Sequence, residues 1–113
     1  MTLSVTAGYR DQNGNWNSLP LAYDVAGVET TRTSFYGSEL AIGTGLVLFP
    51  RLLDEAMLDL YGAALAELKR EVLIMWDLLE DHNRAYWEER LGNILNAIAL
   101  ASPYGDDGNV IIG

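Results

Sequence analysis

The hydrophobic pattern of this chain has two periods, and they occupy different halves. Near the N-terminus Leu3, Val5, Ala7 and Tyr9 alternate with Thr2, Ser4, Thr6 and Gly8, the two-residue repeat of a strand with one buried face. In the second half the repeat lengthens to three and four. Leu65, Leu68, Val72, Met75, Trp76 and Leu79 mark a helix from Ala63 to about Asp81, and Trp87, Leu91, Ile94, Leu95 and Ile98 mark another from Arg84 to about Ala101. Strands followed by helices, rather than the two alternating, predict an α+β fold, not a βαβ nucleotide fold. The expectation is an N-terminal antiparallel β meander packed against two or three C-terminal helices, in one domain spanning residues 1–113.

Local signals fill in the rest. Asn13-Gly14 predicts a tight turn after the first strand, and the apolar run Trp16 to Val25 is the returning strand, with Pro20 marking an edge or an interruption. Thr30, Thr31, Thr33, Phe35 and Tyr36 suit a third strand over Val28 to Tyr36. Ser38 to Ile42 reads equally as a short strand or one helical turn. Pro50 suits the first turn of a helix running to about Tyr61, with Leu52, Leu53, Met57 and Leu60 as its apolar face. Asn83 or Asp81 can cap the last helix, Ser102-Pro103 ends it, and Val110 to Ile112 suits a last strand joining the N-terminal sheet.

Charge narrows the partners. Sixteen acidic side chains against seven basic ones leave −9. Nucleic acids and anionic membrane surfaces are bound largely through Lys and Arg, so neither is expected as a ligand, whereas a basic protein or a cation stays open. Solubility explains the same acidity equally well. Between Arg51 and Arg90 ten acids face five bases. If the apolar stripes face the sheet, these carboxylates cover the outer helix surface. Asp59, Glu67, Glu71, Asp77, Glu80, Asp81 and Glu88 are therefore the candidate partner-binding residues, and all are expected to be solvated. An ordinary solvated helix surface accounts for the same distribution.

Catalytic and cofactor signals are weak. Gly43-Thr-Gly45 invites a phosphate-loop reading, but the third glycine position of the dinucleotide fingerprint is Leu48. His82 is the one histidine and sits in Asp81-His82-Asn83, read as an inter-helix turn, where an exposed His is common. Glu67 with Glu71, and Asp77 with Asp81, share helix faces able to hold a hard cation, yet equally form solvated faces; Asp106-Asp-Gly-Asn109 lacks the full spacing of a calcium loop. Ser34, Ser38 and Ser102 have no nucleophile context. No catalytic residue, cofactor or metal is expected. The aromatics Trp16, Tyr23, Phe35 and Tyr36 lie in the β half, and any left exposed beside carboxylates would favour protein binding.

The chain has no cysteine, which leans towards a reducing compartment, and its first residues lack the basic segment of a signal peptide. Its apolar stretches, Gly45–Pro50 and Val72–Trp76, fall well short of the ~20 residues of a membrane span. A cytoplasmic protein is the expectation.

The stretches Leu48-Phe-Pro-Arg-Leu-Leu-Asp-Glu55 and Ala64-Leu-Ala-Glu-Leu-Lys-Arg-Glu71 resemble part of one group of bacterial toxin-immunity proteins. That group has an N-terminal β segment, a Phe-Pro helix start and an Ala-Leu-x-Glu-Leu helix. The Trp-Gly that often precedes its Phe-Pro is replaced here by Gly45-Leu-Val-Leu48. The resemblance implies an intracellular antitoxin that binds a cognate toxin, often a nuclease, and carries over no individual contact residue. Two other classes stay open. One is a small ligand-binding or enzymatic domain with a pocket between sheet and helices near Tyr9, Tyr23 or Trp87. The other is an assembly subunit, and a homodimer is compatible with any of the three.

Overall fold

The first strand, β1 (Thr2–Arg10), buries Leu3, Val5 and Ala7 and turns its threonines and serine the other way. In the computed structural model, which describes residues 2–113, Asp11 organises the turn that follows. Its carboxylate accepts from the N–H groups of Asn13 (2.9 Å) and Asn15 (3.0 Å), and Gly14 takes the positive φ (81°) that a side chain would resist. Strand β2 (Trp16–Leu19) returns antiparallel to β1 and stops at Pro20, which has no N–H for a ladder. The expected strand over Trp16 to Val25 thus ends at Leu19, and a separate strand starts at Val25. The second, β3 (Val25–Val28), rejoins β1 further along the same edge through a bulge between Leu3 and Ser4.

Two expectations fail here for identifiable reasons. The Thr-rich segment Val28 to Tyr36 is no strand beyond Val28: Arg32–Tyr36 forms a wide helical turn. The hydroxyls of Thr31 and Thr33 donate to the carbonyls of Val28 and Thr30, closing the backbone locally instead of leaving it to a ladder. The expected helix from Pro50 to Tyr61 is a 3₁₀ turn, Phe49–Leu53, followed by strand β4 (Leu58–Tyr61). Leu58 and Leu60 are buried while Asp59 points to solvent, and half of the imagined helix face, Leu53 and Met57, is exposed. The neighbouring ladder supplies hydrogen-bond partners that local propensity does not foresee.

Ser38 to Ile42 resolves as helix. In α1 (Glu39–Gly43) the Ser38 hydroxyl oxygen accepts from the N–H of Ala41 at 3.2 Å. The long helices are α2 (Ala64–Asp77) and α3 (Arg84–Ala101), close to the expected spans; Asn83 precedes α3 without a side-chain cap bond. After a 3₁₀ segment, Ser102–Asp107, the last strand β5 (Gly108–Ile112) inserts between β1 and β4. The sheet runs β2-β1-β5-β4, every pairing antiparallel, with β3 also on β1.

Both long helices cover one face of this sheet, α3 across β1, β3 and β5 and α2 beside it against β4. Leu3, Val5, Val110, Ile112, Leu58 and Leu60 meet Leu65, Leu68, Val72, Leu91, Ile94 and Ala97 in one apolar core. At one end an aromatic group completes it. Phe35 stacks on Trp87 (3.6 Å between ring centres), and Tyr36 is wholly buried with its hydroxyl donating to the Ala26 carbonyl at 2.6 Å. Burial pushes the Tyr36 phenol far above its ordinary range, so it remains a neutral donor. No helix among the described residues is long and apolar enough to cross a membrane.

Candidate functional site

The seven candidate carboxylates do not gather on one outward surface. Glu71, expected to be solvated, is fully buried. Its carboxylate accepts from the N–H groups of Val47 (3.0 Å), Leu48 (3.0 Å) and Phe49 (3.1 Å). Those amides open the 3₁₀ turn at Phe49–Leu53 and have no partner within it, so a carboxylate facing the start of the turn satisfies them and meets the positive end of its peptide dipoles. The two stretches that carry the immunity-protein resemblance meet at this bond, which makes them part of the scaffold.

The other six are scattered. Glu67 is held by Arg70, whose hydrogen bond lowers the Glu67 pKa. Glu88 accepts from the Trp76 indole N–H at 3.1 Å and lies 3.8 Å from Arg84, which also lies 3.9 Å from Asp81. Glu80 lies 3.3 Å from Nδ1 of the exposed His82. Asp77 stands at the end of α2 in no ion pair, and Asp59 is on β4, on the side of the sheet that the helices leave open.

That open side carries a constellation of aromatic and polar groups built from three strands and linked by hydrogen bonds. Alternation along the strands turns Gly8 and Arg10 of β1, Trp16 of β2, Asp59 and Tyr61 of β4 and Asn109 of β5 to it; Gly8 pairs with Asn109, Arg10 with Trp16 and Tyr61 with Asn109. The Trp16 indole lies across Gly8 so closely that a Cβ there would fall 2.3 Å from its ring. Its Nε1–H donates to Asn109 Oδ1 at 2.8 Å, and the Asn109 amide donates to Asp59 Oδ1 at 2.7 Å and to the Leu60 carbonyl at 2.8 Å. Asn109 is wholly buried beneath this cover although no helix lies above it. Beside it the Arg10 guanidinium sits 4.7 Å from the centre of the Tyr61 ring.

The result is an indole fixed by its hydrogen bond on a residue that is still 41% exposed, with the Asp59 carboxylate and the Arg10 guanidinium on the same face of the sheet. Such a group loses little rotamer freedom on binding, which is the property of an interface anchor. Of these residues the sequence singled out Trp16 and Asp59. Arg10, Tyr61 and Asn109 were missed, because only strand register brings them together; Asn109 reads as a turn residue yet belongs to β5.

The space between sheet and helices is filled by the core side chains. Tyr9 stacks on Tyr104 at 4.1 Å, Tyr23 is 70% exposed, and Trp87 is buried, so these three sit in separate settings. A cleft of about 200 Å³ lies beside α1, lined by Ser34, Phe35, Met75 and Asn83, whose Oδ1 is buried without a hydrogen-bond partner. Among the described residues no three acidic or histidine side chains converge as metal ligands. Comparison with protein-family models, curated proteins and solved structures returned no match.

Proposed function

We propose that this chain acts by binding a protein, as an intracellular immunity protein that neutralises a cognate bacterial toxin, and that it meets the toxin with the open sheet face around Trp16. The observation that carries this reading is the indole pinned between Gly8 and Asn109 while it remains accessible. The ring covers Gly8 and Asn109 and so contributes to folding, and the part of the residue that stays accessible is already fixed in place for a partner. The resemblance in residues 48–55 and 64–71 supports the class of partner. The charge of −9 supports a basic one, such as a nuclease, whose encounter would be speeded by the opposite sign. In this reading the chain blocks its partner by occupancy and performs no chemistry of its own.

The test is calorimetric titration against the proteins encoded by the neighbouring genes, with the toxic activity of any that bind followed in parallel. Trp16→Ala is expected to raise Kd about 30-fold, the equivalent of about 2 kcal/mol for a buried anchor. Absence of binding by any neighbouring protein at micromolar concentration would sink the immunity reading. Tight binding that Trp16→Ala leaves unchanged would move the interface off the open sheet.

A further inference from the structure

The outward side of the helical layer exposes large apolar side chains among its charged ones. Leu73 of α2 is 47% exposed and Leu100 of α3 is 41% exposed. Between the helices runs a groove formed by Leu73, Trp76, Leu95 and Ala99, in two stretches of about 400 and 460 Å³ that share Leu73 and Leu95. The two charged side chains that flank Leu73 stand in line with it. Lys69, Leu73 and Asp77 follow at four-residue intervals, so they lie one above another on α2. Lys69 is the one lysine of the chain. Among the described residues every arginine except Arg10 is engaged with a carboxylate, while Lys69 and Asp77 are in no ion pair.

We propose that a second copy of this chain occupies the groove, with the two α2 helices antiparallel about a two-fold axis at Leu73. The order cation, leucine, anion is complementary to itself once it is reversed. Lys69 then faces the partner's Asp77, Asp77 faces the partner's Lys69, and the two leucines meet at the axis, each contact made twice as an isologous interface requires. A parallel pairing would set lysine against lysine. The face is small. At ~1.5 Å per residue α3 is about 27 Å long, and two helices about 9 Å apart present roughly 500 Å² per copy. A standard interface has about 800 Å² per partner, so the dimer is a weak one. This pairing uses the side of the molecule opposite the open sheet face and does not depend on the partner proposed there.

Sedimentation equilibrium over a range of concentrations tests it. The wild-type chain is expected to rise from its monomer mass of 12.5 kDa towards twice that value at high micromolar concentration. Lys69→Asp alone and Asp77→Lys alone are expected to stay monomeric. An equal mixture of these two variants is expected to associate, and so is the double variant carrying both changes, because each restores opposite charges across the axis. Both positions are exposed, so circular dichroism should show all variants folded. A wild type that stays monomeric to millimolar concentration overturns the proposal, as does a dimer that both single variants retain. A monomeric wild type whose Leu73→Arg variant loses affinity for a different protein gives the groove to that protein and overturns self-pairing.

Discussion

The buried Glu71 carboxylate takes up three backbone N–H groups, and among the described residues those amides have no other acceptor. Removing the carboxylate leaves the buried Phe49 N–H and the part-buried Leu48 N–H unpaired, so Glu71→Ala is expected to cost about 2–4 kcal/mol in chemical denaturation. Glu71→Gln keeps one acceptor oxygen but turns a second donor towards N–H groups, at about 2 kcal/mol. If both variants unfold at the wild-type denaturant concentration, the capping role is wrong. Gly8 is the matching case on the open face. A methyl group there collides with the Trp16 indole, so Gly8→Ala is expected to release the ring from Asn109. The readout is a changed Trp emission together with a loss of about 1–2 kcal/mol from the displaced contact; an unaltered spectrum would mean that the indole is not held as described.

Among the elements, the segment from Phe49 to Tyr61 shows how a tertiary clamp selects a strand over a helix. The Arg32 guanidinium donates to the carbonyls of Leu52 (3.3 Å), Glu55 (3.0 Å) and Ala56 (2.8 Å), ending the 3₁₀ turn and delivering the chain to β4. A lysine carries all its donors on one nitrogen and cannot span acceptors that Arg32 reaches from three separate nitrogens. Arg32→Lys is therefore expected to cost about 1–2 kcal/mol and to speed amide exchange in β4 more than in α3. Uniform exchange across both elements would remove the clamp from the account. The same segment explains the misread helix: Leu52 and Leu60 are buried, but they belong to a turn and a strand whose relation is set from residue 32.

For the molecule as a whole, excess negative charge is spread over sheet edge, loops and both helices, with several carboxylates held locally. Hydrogen bonds from Asn17 to Asp11, from Arg51 to Glu55 and from Arg70 to Glu67 lower the pKa of each carboxyl group. A pKa depressed in the folded state contributes stability that is present above the unfolded value and lost as pH falls through the folded one. Stability should therefore be level near neutrality and decline below about pH 4. These groups are solvent-exposed, so the contribution of each is small. Thermal midpoints measured against pH for Asp11→Asn should show a shallower acid decline than wild type; an identical curve would exclude Asp11. If the net charge steers a basic partner, the association rate should fall as salt rises past about 0.1 M, where the screening length is about 10 Å.

What sequence alone determined here was period and punctuation: the first strand, the turn at Asn13-Gly14, the two long helices, the final strand and hence the α+β class. Each rests on residues close along the chain, where alternation, helical spacing and turn chemistry act directly. Tertiary structure decided the rest. It placed β5 between β1 and β4, converted residues 58–61 to a strand, drew Glu71 inward, and brought Trp16, Asn109 and Asp59 to one face. Those outcomes depend on which distant N–H or carbonyl group lies opposite, and on which side of a helix is covered. Neither is encoded in spacing, because a carboxylate at a helical interval reads the same whether it ends in water or against three backbone amides.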